Sequence, residues 1–260
     1  MHLILKNITL SFGNGKNTFK FLDGLNLCVE SGKITAIVGG NGTGKTTLFN
    51  VISGFKKDYG GEVVFNGKRI DARPSHEIAR RGVGRLFQGK SLLSDLTLLE
   101  NMKLHISRNA ETPFAALFHK GKWQDTERNT TARAIATLEK LFGKQNKYSE
   151  NMLHTLGNDF SCGEQRLLSL AGLMMGDYSL LLLDEPTAGV NPVYIEQIKR
   201  MIRQMADGGK TILLIEHNMQ FVKDIADKVA YLDDGKIQFE GTAAEVLNNQ
   251  EVKNSYLGVE

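Results

Sequence analysis

The eight residues from Gly39 to Thr46 restrict this chain more than any other stretch. They read Gly-Gly-Asn-Gly-Thr-Gly-Lys-Thr and match the pattern G-x-x-x-x-G-K-S/T of a phosphate-binding loop: Gly39 and Gly44 frame it, Lys45 follows, and Thr46 supplies a hydroxyl. Ahead of the loop, Ile34–Val38 is a short apolar run rich in β-branched residues, which predicts a buried parallel strand. Behind it, Thr47–Ser53 carries Leu48, Phe49, Val51 and Ile52 and is closed by Gly54, which predicts a short helix with a glycine stop. A strand running into a glycine loop that opens a helix offers successive backbone N–H groups, and the positive end of the helix dipole, to an oxyanion. Gly39, Gly40, Asn41, Gly42, Thr43, Gly44 and Thr47 are therefore candidate phosphate contacts. Lys45 is placed to reach the β- and γ-phosphates of a nucleoside triphosphate, and Thr46 to hold Mg2+ beside them. The plainer reading is a glycine-rich turn with no ligand; Lys45 and Thr46 in register argue against it.

Length leaves room for one sizeable α/β core with one inserted subdomain, since the chain has 260 residues and 41% hydrophobic content. The net charge of +3 comes from basic pairs scattered along the chain, such as Lys56, Lys57 and Arg80, Arg81, which read as solvated surface and call for no nucleic acid. Cys28 and Cys162 have neither metal-ligand spacing nor a disulfide-dense context, which suits a reducing cytoplasm, and Cys28 reads as core. No signal peptide precedes Leu3, and apolar runs such as Leu180–Leu183 fall far short of a membrane span. The expectation is a soluble chain that meets a membrane only through a partner.

Residues 2 to 38 alternate apolar and polar positions in short segments separated by turn residues, which predicts an antiparallel β region. A hairpin is expected over Glu62–Ile70, with Asn66 and Gly67 as a two-residue primed turn. Pro74 is expected to open a short helix ending at Gly82, and Val83–Phe87 to form a strand with Gln88 at its end. Thr97 and Glu100 spell a capping box, and a mostly helical stretch with Ile135, Leu138 and Phe142 at helical spacing continues to about Met175. Phe114, Phe118 and Trp123 lie in a less regular insert and read as packing residues. Strands then return at Leu180–Leu183, Thr211–Ile215, Val229–Leu232 and Ile237–Phe239; Ile195, Ile198, Ile202 and Met205 stripe a helix, and Thr242 with Glu245 caps a last one. The helical stretch is thus inserted into one α/β core.

Two further stretches carry chemistry. The strand Leu180–Leu183 ends in Asp184 and Glu185, putting two carboxylates at the carboxyl edge of a parallel sheet, where ligands bind. Asp184 is placed to join the Mg2+ shell, and Glu185 to take a proton from an attacking water. The alternative is a solvated loop pair, which the four leucines before it make weaker. Phe160–Gln165 reads Phe-Ser-Cys-Gly-Glu-Gln ahead of a helix expected to start near Arg166, a second phosphate-seeking helix start; alone such a pattern is often only a cap, but its place ahead of a hydrophobic strand ending in Asp-Glu makes the phosphate reading the stronger one.

Taken in order, these stretches resemble the nucleotide-binding subunits of ATP-binding cassette (ABC) transporters over the whole chain. Gly39–Thr46 is similar to that family's Walker A loop, Gln88 to its Q-loop, Ser161–Gln165 to its signature motif and Leu180–Glu185 to its Walker B strand. Ala188–Asn191 stands at the D-loop and His217 at the switch histidine. The resemblance implies an α/β fold: a P-loop NTPase core of mixed or parallel sheet with an antiparallel β subdomain, over 1–88 and 176–260, and an inserted helical subdomain over 89–175. It implies that Phe12, otherwise readable as strand core, stacks on adenine, and that Gln88 touches the metal and senses the γ-phosphate. It also implies that Lys45, Glu185 and His217 act in catalysis, and that Ser161, Gly163 and Glu164 contact ATP. Cys162 and Phe160 depart from the usual Leu-Ser-Gly-Gly-Gln, Gly40 stands where proline is common, and Asn191 replaces Asp.

The run Ala-Gly-Val-Asn-Pro at 188–192, Ile215–Met219 and the ending Tyr256-Leu257-Gly258 are similar to the ATPase subunits of branched-chain amino-acid importers. That resemblance implies an ATP-hydrolysing subunit, cytoplasmic and peripheral on the inner face of the cell membrane. It would pair head to tail with an identical or paralogous nucleotide-binding subunit, couple to membrane permeases, and serve a periplasmic binding protein indirectly. Other single-cassette ATPases, such as the lipopolysaccharide-export type, remain open. A soluble cassette acting on ribosomes or DNA would resemble two fused cassettes or carry a long coiled coil; this chain has one phosphate loop and no sustained heptads.

Overall fold

The computed structural model describes residues 2–12, 19–89, 92–106, 120–142, 152–250 and 252–253, with the side chains of 12, 19 and 120–127 outside that description. Its first elements are Leu3–Phe12 (β1), Phe19–Val29 (β2), Ile34–Val38 (β3), Lys45–Ile52 (α1), Gly60–Phe65 (β4), Lys68–Arg69 (β5), Ser75–Arg80 (α2) and Val83–Leu86 (β6). Then come Leu98–Lys103 (α3), Lys120–Phe142 (α4), Cys162–Met175 (α5), Leu180–Asp184 (β7), Pro192–Asp207 (α6) and Thr211–Ile215 (β8). Met219–Ile225 (α7), Lys228–Asp233 (β9), Lys236–Gly241 (β10) and Ala243–Asn248 (α8) complete the order.

These elements divide into two compact units, one of Met1–Gln88, Tyr178–Ala188 and Ile202–Glu260, the other of Gly89–Asp177 and Gly189–Met201. In the first unit the continuous apolar runs β3, β7 and β8 are buried along their whole length, as strands covered on both faces must be. They pair parallel in the order β10-β9-β3-β8-β7-β6, with only β10 antiparallel to its neighbour. The alternating strands form a separate antiparallel sheet of order β2-β1-β4-β5. Apolar positions of that sheet, such as Leu3, Leu5 and Leu27, share one buried cluster with Leu48, Phe49, Val51 and Ile52 of α1 and with Leu180, Leu182 and Leu213 of the parallel sheet.

Several elements differ from their sequence expectation for local reasons. Ile34–Val38 joins the other sheet, and the short segments between residues 3 and 29 join into two long strands, because register shifts at Leu5/Ile8 and Ile8/Leu10 absorb the interruptions. Asn7 (φ 52) and Gly24 (φ 69) take left-handed backbone there, and a bulge bends a ladder without ending it. Asn66 (φ 49) and Gly67 (φ 72) make the expected primed turn. Pro74 is the cap of α2 and not its first residue, and that helix ends at Arg80 with Arg81 as its C-cap. Cys28 is half-buried, so it is not core.

In the second unit α3 and α4 both pack on α5. Thr97 caps α3 through a reciprocal box with Glu100. The buried line of α4 runs Thr130, Ala134, Leu138 at four-residue spacing, with Ile135 and Phe142 half-buried beside it. Helix α5 begins at Cys162, four residues earlier than expected, because Ser161 closes its own capping box with Glu164. Phe114, Phe118 and the ending at Tyr256 lie outside the described residues, as does the side chain of Trp123. Among the described residues no helix is long and apolar enough to cross a membrane.

Candidate functional site

Because β3, β6, β7 and β8 run parallel, their carboxyl ends share one edge of the sheet. That edge is where α/β sheets bind ligands. The stretch after β3 is the glycine loop, Gln88 lies just past β6, Glu185 past β7, and His217 past β8.

The loop is shaped by close approach. A Cβ on Gly39 would sit 2.1 Å from the Leu232 carbonyl oxygen, so no larger residue fits without displacing β9. Gly44 takes φ 101 to turn the chain into α1, whose first turn has no side-chain cap and no acidic residue. A helix start left in that condition has N–H groups to offer an anion. Lys45 is buried, and its Nζ donates to the carbonyls of Gly39 (2.8 Å) and Gly40 (2.7 Å), while the Thr43 hydroxyl donates to Gly40 O at 3.0 Å. Burial presses the Lys45 ammonium below its ordinary pKa, and the nearby Glu185 and Asp184 charges oppose that. Asn41, Gly42 and Thr46 are exposed, and Gly40, Thr43 and Thr47 half-buried, so the loop presents an open polar rim over a buried cation.

Asp184 is fully buried and pairs through Oδ2 with the Arg85 guanidinium at 3.1 Å. Arg85 in turn donates to Asn50 Oδ1 (2.7 Å) and Ser53 Oγ (2.8 Å), and lies 4.6 Å from the centre of the Phe87 ring. Burial raises the Asp184 carboxyl, Arg85 lowers it, Glu185 raises it, and Thr46 adds a smaller lowering through its side chain. The other oxygen, Oδ1, is buried and has no hydrogen-bond partner among the described residues. A bare anionic oxygen in the interior is costly unless a cation meets it, which fits Mg2+. Among the described residues no three His, Cys, Asp or Glu side chains cluster as a metal cage.

Glu185 sits between the two polar residues from the neighbouring strand ends. Gln88 Nε2 donates to its Oε2 at 2.8 Å, and His217 Nε2 lies 3.2 Å from its Oε1. Its backbone is left-handed, φ 47, a conformation costing a non-glycine residue on the order of 1 kcal/mol. The Glu185 N–H donates to Ile215 O at 3.0 Å, which pins that turn to the end of β8.

The structure thus brings Lys45, Asp184, Glu185, Gln88 and His217 to one sheet edge. Ser161, Gly163 and Glu164 belong to the other unit: the Ser161 hydroxyl donates to Glu164 Oε2 at 2.7 Å, and a Cβ on Gly163 would meet the Tyr194 ring at 2.4 Å. Phe12 ends β1, and its side chain lies outside the described residues. Two residues that sequence reading passed over are Arg85, which lies inside the expected strand Val83–Phe87, and Glu216. The carboxylate of Glu216 is buried and accepts four hydrogen bonds, from Thr187 N (2.8 Å), Thr187 Oγ1 (2.6 Å), His217 N (3.0 Å) and Asn218 N (3.3 Å). For Glu216 the available signal was a charged residue directly after the apolar strand Thr211–Ile215; for Arg85 it was a charged residue between the apolar positions of a short strand.

A parallel sheet whose first crossover is a glycine loop with an invading lysine, and whose next strand ends carry Asp-Glu and His, defines a P-loop NTPase fold. The chain belongs to the ABC transporter family, whose model matches residues 22–188. It is 35% identical over 251 residues to the probable branched-chain amino acid transport ATP-binding protein LivG of Archaeoglobus fulgidus, covering 94% of this chain and 95% of the relative. It is 34% identical over 258 residues to the high-affinity branched-chain amino acid transport ATP-binding protein BraF of Pseudomonas aeruginosa, covering 98% and 97%. Among solved structures, the ADP conformation of MJ1267, an ATP-binding cassette of an ABC transporter, matches with a TM-score of 0.80 and 30% identity over 99% of both chains.

Proposed function

We propose that this chain binds and hydrolyses ATP as the motor subunit of an ABC transporter that imports branched-chain or related amino acids. The observation that carries the hydrolytic reading is the convergence of Gln88 and His217 on the two oxygens of Glu185, at the sheet edge that also holds Lys45. Lys45 and the open N-terminus of α1 bind the β- and γ-phosphates. Mg2+, when bound, would be held by Thr46, Asp184 and Gln88 and would offset the charge that builds on the phosphates. Gln88 and His217 each give Glu185 a contact that a γ-phosphate can take over, so arrival of the nucleotide releases Glu185 to accept the proton of the attacking water. Phe12 supplies an aromatic face for the adenine. Ser161, Gly163 and Glu164 close over the nucleotide of a second cassette, identical or paralogous, and the pair works on permease subunits at the inner face of the cell membrane.

The identity to LivG and BraF over nearly the whole chain supports the amino-acid assignment. Glu185→Gln tests the chemistry: the variant should keep its ATP affinity, lose roughly a hundredfold or more in turnover, and accumulate as an ATP-bound dimer on gel filtration. Hydrolysis at the parental rate would remove Glu185 from the base role. Uptake of labelled leucine, isoleucine and valine by cells carrying only that variant tests the cargo; unchanged uptake of all three would overturn it.

A further inference from the structure

The buried carboxylate of Glu216 has no part in the hydrolytic scheme, yet its surroundings are unusual. It is 2% exposed and has no cation beside it among the ion pairs of the described residues. A carboxylate can be kept charged in the interior only if donors surround it. Here they come from two separate loops. Oε1 accepts from the backbone N–H and hydroxyl of Thr187, on the turn after β7. Oε2 accepts from the backbone N–H groups of His217 and Asn218, at the start of the turn after β8. One side chain therefore splits its two oxygens between the loop that bears Glu185 and the loop that bears His217.

The ladder cannot do this job. The last rung between these strands pairs Asp184 with Ile215, and beyond it a single bond, Glu185 N–H to Ile215 O, continues the pairing. Glu185 then departs in left-handed backbone, so the two loops would diverge there without a further tie. Glu216 provides that tie one residue before His217, and Thr187 anchors it two residues after Glu185.

We propose that Glu216, with Thr187, is the positioning pair that holds the His217 imidazole against Glu185 at 3.2 Å. The inference rests on the hydrolytic role assigned to Glu185 and His217, and it adds a residue that touches neither nucleotide nor metal. Glu216 acts through backbone N–H groups, so its effect falls on the orientation of the turns and not on the charge of the phosphate site. The charge-assisted character of these bonds makes the junction stiff, and an amide in place of the carboxylate would turn one acceptor into a donor facing N–H groups.

Glu216→Gln, and Thr187→Val as a milder variant that removes only the hydroxyl, test this in the full chain. Each should bind ATP within about twofold of the parent and lose roughly tenfold in kcat with KM little changed. In a His217→Ala background each should cost little more than about twofold further, because residues acting as one unit are not additive. A crystal structure of either nucleotide-free variant should show the His217 to Glu185 contact broken. Turnover within about twofold of the parent, full multiplication of the losses with His217→Ala, or an intact 3.2 Å contact in both variants would overturn the proposal. A parental chain that binds ATP without hydrolysing it would refute the hydrolytic reading instead, and the crystallographic result would still decide the role of Glu216.

Discussion

Asp184 is a carboxylate that the fold buries completely and satisfies on one side only. Its Oδ2 rests on Arg85, and its Oδ1, without a hydrogen-bond partner among the described residues, is where the proposed Mg2+ would be held. Such a pair is a weak source of stability while intact and a large liability when broken, because the surviving charge keeps its desolvation cost. Arg85→Met should therefore lower the unfolding free energy by about 3 kcal/mol in urea titrations, and adding Asp184→Asn should recover part of that loss. The pH dependence has a definite sign. Burial raises the Asp184 carboxyl, so the folded protein keeps this proton to higher pH than the unfolded chain does. That contribution favours folding at acid pH and is lost as pH rises through the folded value. Removing Arg85 takes away the chief lowering influence, so the deficit of Arg85→Met should shrink on acidification. A deficit independent of pH would mean that stacking of the Arg85 guanidinium on the Phe87 ring, and not its pairing with Asp184, is what the variant lost.

At the scale of elements, the helices differ from the sheet in what holds them together. The parallel strands β3, β7 and β8 are buried end to end, whereas α3 and α5 meet partly through His105, which lies just past α3 and so close to Gly172 that a Cβ there would come 2.4 Å from its Cδ2. Burial lowers the His105 imidazole from 6.5 to about 4. Between those values the unfolded chain binds a proton that the folded protein refuses, so stability is lost as pH falls through that window. Allowing for the partial exposure of the residue, the loss should be about 2 kcal/mol. Urea unfolding at pH 7 and pH 4 measures it, and His105→Leu should remove that share of the difference. The elements themselves were legible to unequal degrees. Runs such as Leu180–Leu183 and boxes such as Thr97 with Glu100 announce a strand and a cap by local physics. The union of short segments into β1 and β2 was not legible, because a bulge depends on the partner strand and leaves only Asn7 and Gly24 as traces.

For the whole molecule, the proposed assembly needs a second cassette to supply Ser161. In the isolated chain that hydroxyl is engaged in capping α5, so a lost function could be confused with a lost cap. Ser161→Asn separates the two, since asparagine caps a helix as well as serine does and can still donate to Glu164, but sets a bulkier amide against phosphate. The variant should unfold within about 0.5 kcal/mol of the parent and bind ATP normally when dilute, yet lose most of its turnover. The specific activity of the parent should rise with protein concentration; a rate per subunit that is flat on dilution would exclude a shared site. By itself the order of residues determined the phosphate loop, the Asp-Glu strand end and the family, because each is a contiguous pattern whose chemistry comes from spacing along the chain. Only the tertiary structure decided that Arg85 and Glu216 lie inside and that Gln88 and His217 meet on Glu185. Those contacts join residues 97, 99 and 32 positions apart, and a separation of that kind becomes a distance only when parallel strands bring their ends to one edge.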